Sequence, residues 1–188
     1  MAFLFLLDDS GGKFMNEVIK NIMTRKGATE YSAKMVDDET LETIVKAGIA
    51  APNAFNRQAW DFAIVSNPEI LKEIAELTAK AYGCEPGDTL YNAPVVIIVS
   101  SAKDNDFRKQ DCSAAHENMA LAAKSLGVAS RFLDIPNLAF QSEKGAELYK
   151  KCGIPEGYET VCFLCLGYSE QLDAGPNTKD FTKFHFVK

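Results

Sequence analysis

Histidine is nearly missing from this sequence: 188 residues supply two, His116 and His185. They stand far apart, and neither has a cysteine or carboxylate at ligand spacing, so no metal centre is expected. No G-x-S-x-G elbow is present either, which removes Ser-His-Asp hydrolysis. The five cysteines are few and odd in number, in a chain long enough to bury a core without staples. Reduced thiols in a cytoplasmic setting fit that better than a disulfide framework. Excess positive charge is also lacking, with 20 Lys+Arg against 26 Asp+Glu and a net charge of −6. No global field attracts nucleic acid, so any anion has to be held by a local basic cluster. The leader offers only the apolar run Phe3 to Leu7 before Asp8 and Asp9. It is too short to span a membrane and lacks the basic start of a signal peptide. Residues 1–14 therefore read as an extension, and 15–188 as one domain. With 47% hydrophobic and 24% charged residues the chain is not disordered.

The hydrophobic pattern that is present gives an order of elements. Val18, Ile19, Ile22 and Met23 recur at helical spacing and predict an amphipathic helix over 16–25 that ends at Gly27. Asp37 and Asp38 offer caps to a second helix, carried by Leu41, Ile44, Val45 and Ile49 up to Pro52. Trp60 to Val65 reads as a strand, and Pro68 to Tyr82 as a helix. Pro94 to Val99 is a continuous β-branched run, the pattern of a strand covered on both faces. A core helix is expected over 111–126 and stops at Gly127. The segment 126–133 reads as a tight helix exit leading into a loop. A short helix over 142–151 precedes a second buried strand over 159–167. The tail alternates Phe181, Phe184, Phe186 and Val187, as an edge strand reaching across a partner would. Together these elements predict an α+β fold, a small mixed sheet flanked by helices in three α/β/α layers.

Three segments place polar and small residues where packing does not ask for them. Thr24-Arg25-Lys26-Gly27-Ala28-Thr29 has adjacent cations, a flexible Gly amide and hydroxyls, which together can surround a phosphate. Taken alone, the same residues fit a helix C-terminus whose cations complement the macrodipole. Ala51 to Trp60 concentrates amide side chains that both donate and accept, as the edge of a flat heterocycle requires, or as an amide-rich turn would show. Leu126 to Leu133 opens with small residues that let backbone amides approach a ligand, or that simply end a helix.

In this order the segments resemble the nitroreductase family of flavin-dependent oxidoreductases. The family's basic pair plus hydroxyl is matched by Arg25-Lys26-Gly27. Its Pro-Ser-x-x-Asn-x-Gln-Pro-Trp loop is similar to Pro52-Asn53-Ala54-Phe55-Asn56-Arg57-Gln58-Ala59-Trp60. Asn118 to Ala123, Leu126-Gly127, Gly153 to Pro155 and Leu166-Gly167-Tyr168 complete the match, which spans the chain from about Asn16 onward. The resemblance implies a homodimer with FMN at each subunit interface, NADH or NADPH as reductant, and a small-molecule electron acceptor such as a nitro compound or quinone. Reductant and acceptor would use the ring in turn. It implies that Arg25, Lys26, Gly27, Thr29 and Lys179, which follows Pro176, hold the phosphate end. Pro52, Asn53, Ala54, Asn56 and Gln58 would line the ring and ribityl chain from the neighbouring subunit. The stretch from Arg131 through Phe132 and Leu133 to Asp134 would pass flavin N5. No side-chain nucleophile is needed, and Tyr31, Arg57 and Arg131 are the candidate proton donors. Where the family commonly has Ser this chain has Gly27, and where it has a basic residue this chain has Thr29. One lost charge-assisted bond costs about 1–3 kcal/mol of phosphate grip. A flavin-binding storage or sensor module, or a specialised flavin enzyme on the same fold, are the competing readings.

Cys162-x-x-Cys165 has the spacing of a redox or metal pair. In a strand, residues three apart face opposite sides, so two buried and inert thiols are expected there.

Overall fold

The computed structural model describes residues 16–173 and 179–188. The extension read over 1–14 and the residue Pro176 lie outside the described residues.

Four strands form one sheet: β1 (Trp60–Val65), β2 (Val95–Ala102), β3 (Ala129–Leu133) and β4 (Tyr158–Gly167), in the order β1-β2-β4-β3. Every ladder between these strands is antiparallel. The parallel component expected of a mixed sheet is confined to one isolated bridge, Gly27 with Ser130, on the outer edge of β3.

Helices cover both faces. α1 (Glu17–Thr24), α2 (Asp38–Ile49) and α5 (Arg108–Ser125) lie on one side; α3 (Pro68–Tyr82), α6 (Asn137–Phe140) and α7 (Gly145–Lys151) lie on the other, with the short α4 (Gly87–Leu90) beside α3. The β2 run is buried throughout because its alternate residues serve two cores. Val95, Ile97 and Val99 pack under α5, while Val96 and Ile98 pack under α3 and α6. Three layers and two cores follow directly from that strand.

The caps fall where short polar side chains stand ready. Asn16, Asp37 and Asn67 each accept a backbone N–H in the first turn of α1, α2 and α3. Between α2 and β1 a single 3-10 turn, Ala54–Asn56, interrupts the loop.

Two expectations change. Residues 129–133 form the edge strand β3 rather than a loop, paired with β4 from Ala129 opposite Gly167 to Leu133 opposite Phe163. The described tail 179–188 forms no strand, and Phe186 and Val187 are 80% and 90% exposed. A strand needs an edge to pair with, and this chain's own β-edges do not receive the tail. Cys162 and Cys165 do separate onto opposite faces, one in each core, and all five thiols are free.

Candidate functional site

The basic segment is anchored at the outer edge of β3. Gly27 bridges to Ser130, and the Ala28 N–H donates to the Ser130 carbonyl at 3.0 Å. Sequence segments a hundred residues apart thus meet at a single parallel bridge, which sets the segment Arg25-Lys26-Gly27 beside the start of β3, at Ala129 and Ser130. Arg25 forms an ion pair with Glu117 of α5, Nε to Oε1, at 2.9 Å. Its guanidinium is fixed but only half used by one oxygen. The Thr29 amide donates to Gln171 Oε1 at 2.7 Å, and its hydroxyl reaches the same oxygen at 3.3 Å. Lys124, which sequence reasoning passed over, ties the end of α1 to the turn beyond β4: its Nζ donates to the carbonyls of Thr24 and Leu172 at 3.3 and 3.4 Å. Lys179 is an exposed residue where the described chain resumes.

Beneath this edge two buried nitrogens lack partners among the described residues, His116 Nε2 and Arg131 Nε. His116 sits on α5 against the edge of the Phe132 ring, 4.4 Å between centroids. Burial, and then the Arg25 charge, push its imidazole down to about 3, so it is neutral. Arg131 lies on the other face of β3, with its guanidinium carbon 4.4 Å from the centre of the Tyr91 ring. Neither nitrogen is explained by packing among the described residues, and sequence patterns carry no signal for an orphaned atom.

Of the candidate proton donors, Tyr31 is a poor acid. Burial raises its phenol well above the usual range, and its hydroxyl is engaged with the Ala28 carbonyl at 3.4 Å. Arg57 is half exposed and pairs loosely with Asp104 at 3.8 Å. Phe132 and Asp134 line an open cavity of about 460 Å³ together with Lys109, Ser113, Asn137 and Thr160.

The amide-rich loop lies elsewhere. Asp111, on the first turn of α5, accepts the Ala54 N–H at 2.9 Å and the Asn105 amide at 3.1 Å. Asn53 Oδ1 accepts the Gln58 N–H at 2.8 Å and closes the loop on itself. Within it Phe55, Asn56 and Gln58 have φ of 55°, 52° and 49°. Such left-handed residues cost about 1–3 kcal/mol each and persist where surrounding structure holds them for use. Phe55 is 85% exposed, and Pro52, Asn56 and Gln58 are exposed as well.

Register fixes how far apart the two groups are. Ser130 pairs with Leu166 and Leu166 with Val95, whereas Trp60, where the loop ends, pairs with Ser101 at the far end of β2. Three strand gaps of about 4.8 Å and six residue steps of about 3.3 Å put them roughly 24 Å apart, on opposite corners of the sheet. The basic edge lies beside the start of β3 within one chain; the amide loop does not join it.

Comparison with known proteins gives a consistent picture. A family model described as "Nitroreductase family" matches residues 22–168. An Archaeoglobus fulgidus protein described as an NADH dehydrogenase/NAD(P)H nitroreductase is 36% identical over 159 residues, 82% of this chain and 86% of that protein. The crystal structure of a nitroreductase with bound FMN from Desulfitobacterium hafniense superposes with a TM-score of 0.84 at 34% identity, covering 93% of this chain and all of that one. A second, with bound FMN from Bacteroides fragilis, gives a TM-score of 0.83 at 27% identity, covering 93% of this chain and 100% of that one.

Proposed function

The chain belongs to the nitroreductase family, and from that premise we propose that it is an FMN-dependent NAD(P)H oxidoreductase acting on nitro compounds, quinones or similar acceptors as a homodimer. The observation that carries the reading is the Gly27–Ser130 bridge, which lays a cation-bearing segment beside β3. FMN fits the residues present. Arg25 and Lys26 supply charge and the Gly27 amide a donor for a phosphate. The backbone from Phe132 to Asp134 offers N–H groups beyond the end of β3, and Asn53, Asn56 and Gln58 supply two-way amides for the ring edge. When bound, FMN supplies a two-electron relay through N5, taking electrons from NAD(P)H and passing them to an acceptor in a ping-pong sequence.

The protein's own part is binding, orientation and exclusion of water. Arg25, held by Glu117, presents fixed donors and so loses little side-chain freedom on gripping an anion. Neutral His116 keeps a second positive charge from crowding Arg25. Phe132 presents an apolar face beside the cavity it shares with Asp134, which leaves room for a flat acceptor.

The opposite corners support the homodimer. A two-fold axis brings the Asp111-anchored loop of one chain to the β3 edge of its partner and makes two equivalent sites. α1 fits the same picture: it is amphipathic yet buries no residue, and Val18 is 66% exposed.

Colour tests the activity. Purified protein is expected to be yellow and to bleach with NADH or NADPH without oxygen. Yellow protein that never bleaches would make it a binding module, and colourless protein that cannot take up FMN would end the flavin reading.

A further inference from the structure

A carboxylate drawn out of water is unfavourable unless donors meet its oxygens. Asp111 is buried in the first turn of α5, where the positive end of the helix favours its charge. Both oxygens are matched: Oδ1 accepts the Ala54 N–H and Oδ2 the Asn105 side-chain amide. An amide at this position would set an N–H group against one of those donors, so the site calls for an acceptor on both sides.

The network continues past Asn105. That buried amide also donates to Ser101 Oγ at 3.2 Å, and the buried Ser101 hydroxyl donates to the Ala59 carbonyl at 2.6 Å. Three buried polar side chains thus grip the amide loop at both ends, its entry through Ala54 and its exit through Ala59. Two further contacts join the same segments. Phe55 meets Phe107 edge-on with ring centroids 6.0 Å apart, and Arg57 lies 3.8 Å from Asp104. Between the gripped ends stand the left-handed residues Phe55, Asn56 and Gln58, all exposed. Core packing makes no use of that shape, so the strain held there points to a ligand that does.

We propose that Asp111 is a positioning residue for the flavin: with Asn105 and Ser101 it holds loop 54–59 in the shape that meets the ring. The inference rests on the flavin reading above. Asp111→Asn tests it by mismatching one donor, which shifts the loop away from its held form by about 10- to 100-fold. In the full chain freed of flavin, trypsin cleavage after Arg57 should speed up by that factor. Affinities for FMN and for riboflavin, which lacks the phosphate, should both fall by up to the same factor, with their ratio unchanged. The absorption band of flavin that still binds should move toward that of free flavin.

The double variant Asp111→Asn/Asn105→Asp exchanges carboxylate and amide. The carboxylate then accepts from the amide and from the Phe107 N–H, which Asn105 Oδ1 accepts now at 3.0 Å. All three readouts should return toward wild type. Ser101→Ala, which frees the exit end alone and is measured beside it in case the Asp111 variant folds poorly, should move them the same way by a smaller factor. Wild-type cleavage and affinity in Asp111→Asn and Ser101→Ala overturn the proposal. So does a loss that the exchange fails to reverse, and so does weaker binding with the band of bound flavin unmoved, which makes Asp111 a prop for the fold. Wild type that binds no flavin sinks the flavin reading instead, while the trypsin series still reports on the anchor.

Discussion

His116 is a buried base that stays neutral, and this sets a pH limit on the fold. Its imidazole is held at about 3, against 6.5 when free, by burial first and the Arg25 charge second, with a Phe163 backbone hydrogen bond opposing. Above pH 6.5 neither the folded nor the unfolded state binds the proton, and nothing is lost. Below it the unfolded chain takes a proton that the folded one refuses, so stability falls by about 1 kcal/mol per pH unit. Asp37, Glu147 and Asp180, whose pKa values are lowered in the fold, withdraw their support only as pH falls further, through the carboxylate range. Asp61, whose carboxyl burial raises, works in the opposite sense as pH falls, so the loss between pH 6.5 and 5 belongs to His116. Urea midpoints across it should fall for wild type and stay nearly level for His116→Gln; parallel slopes would contradict the assignment. None of this was visible in sequence, where a single His within an Ala- and Met-rich helix gives no sign of its depth or of the Arg25 opposite it. Arg25 itself stood out in the sequence, because two adjacent cations before a glycine break the helical pattern.

The contact between α2 and α5 turns on one residue. A Cβ on Gly48 would lie 2.7 Å from Met119 Cγ and 3.3 Å from the Ala115 carbonyl, in a fully buried seam. Helix propensity favours Gly48→Ala by about 1 kcal/mol, whereas overpacking costs about 1–3 kcal/mol. Because Met119 is fully buried and the close atom is its Cγ rather than its flexible end, packing should win. Gly48→Ala is expected to lower the urea midpoint at constant m-value, and a rise would show that the seam adjusts. Elements with a clean period were legible: the β2 run and the α3 spacing appear in the structure where the pattern placed them. β3 was not, because it is an edge strand whose middle residues, Ser130 and Arg131, interrupt any apolar alternation. Its pairing with β4 comes from long-range register, which a local pattern does not encode. The loop at 52–58 was recognised by its amides, but its left-handed backbone and its anchor on Asp111 come from tertiary contacts with α5.

Taken whole, and on the function proposed above, the molecule would carry half of a site at each end of one diagonal of its sheet. Light scattering should therefore find a particle of twice the 20.6 kDa chain mass, and a monomer that retains flavin would break the argument. The diagonal also bears on inheritance. If each pocket takes its cations from one chain and its amide loop from the other, a lesion at one corner spoils a pocket without spoiling the chain. Two inactive variants, one damaged at Arg25 and the other at Asn53, then rescue each other when they are mixed: the hybrid pair builds one pocket from its two sound corners and one from its two damaged ones. Activity returns although neither parent has any, and no repaired gene is needed.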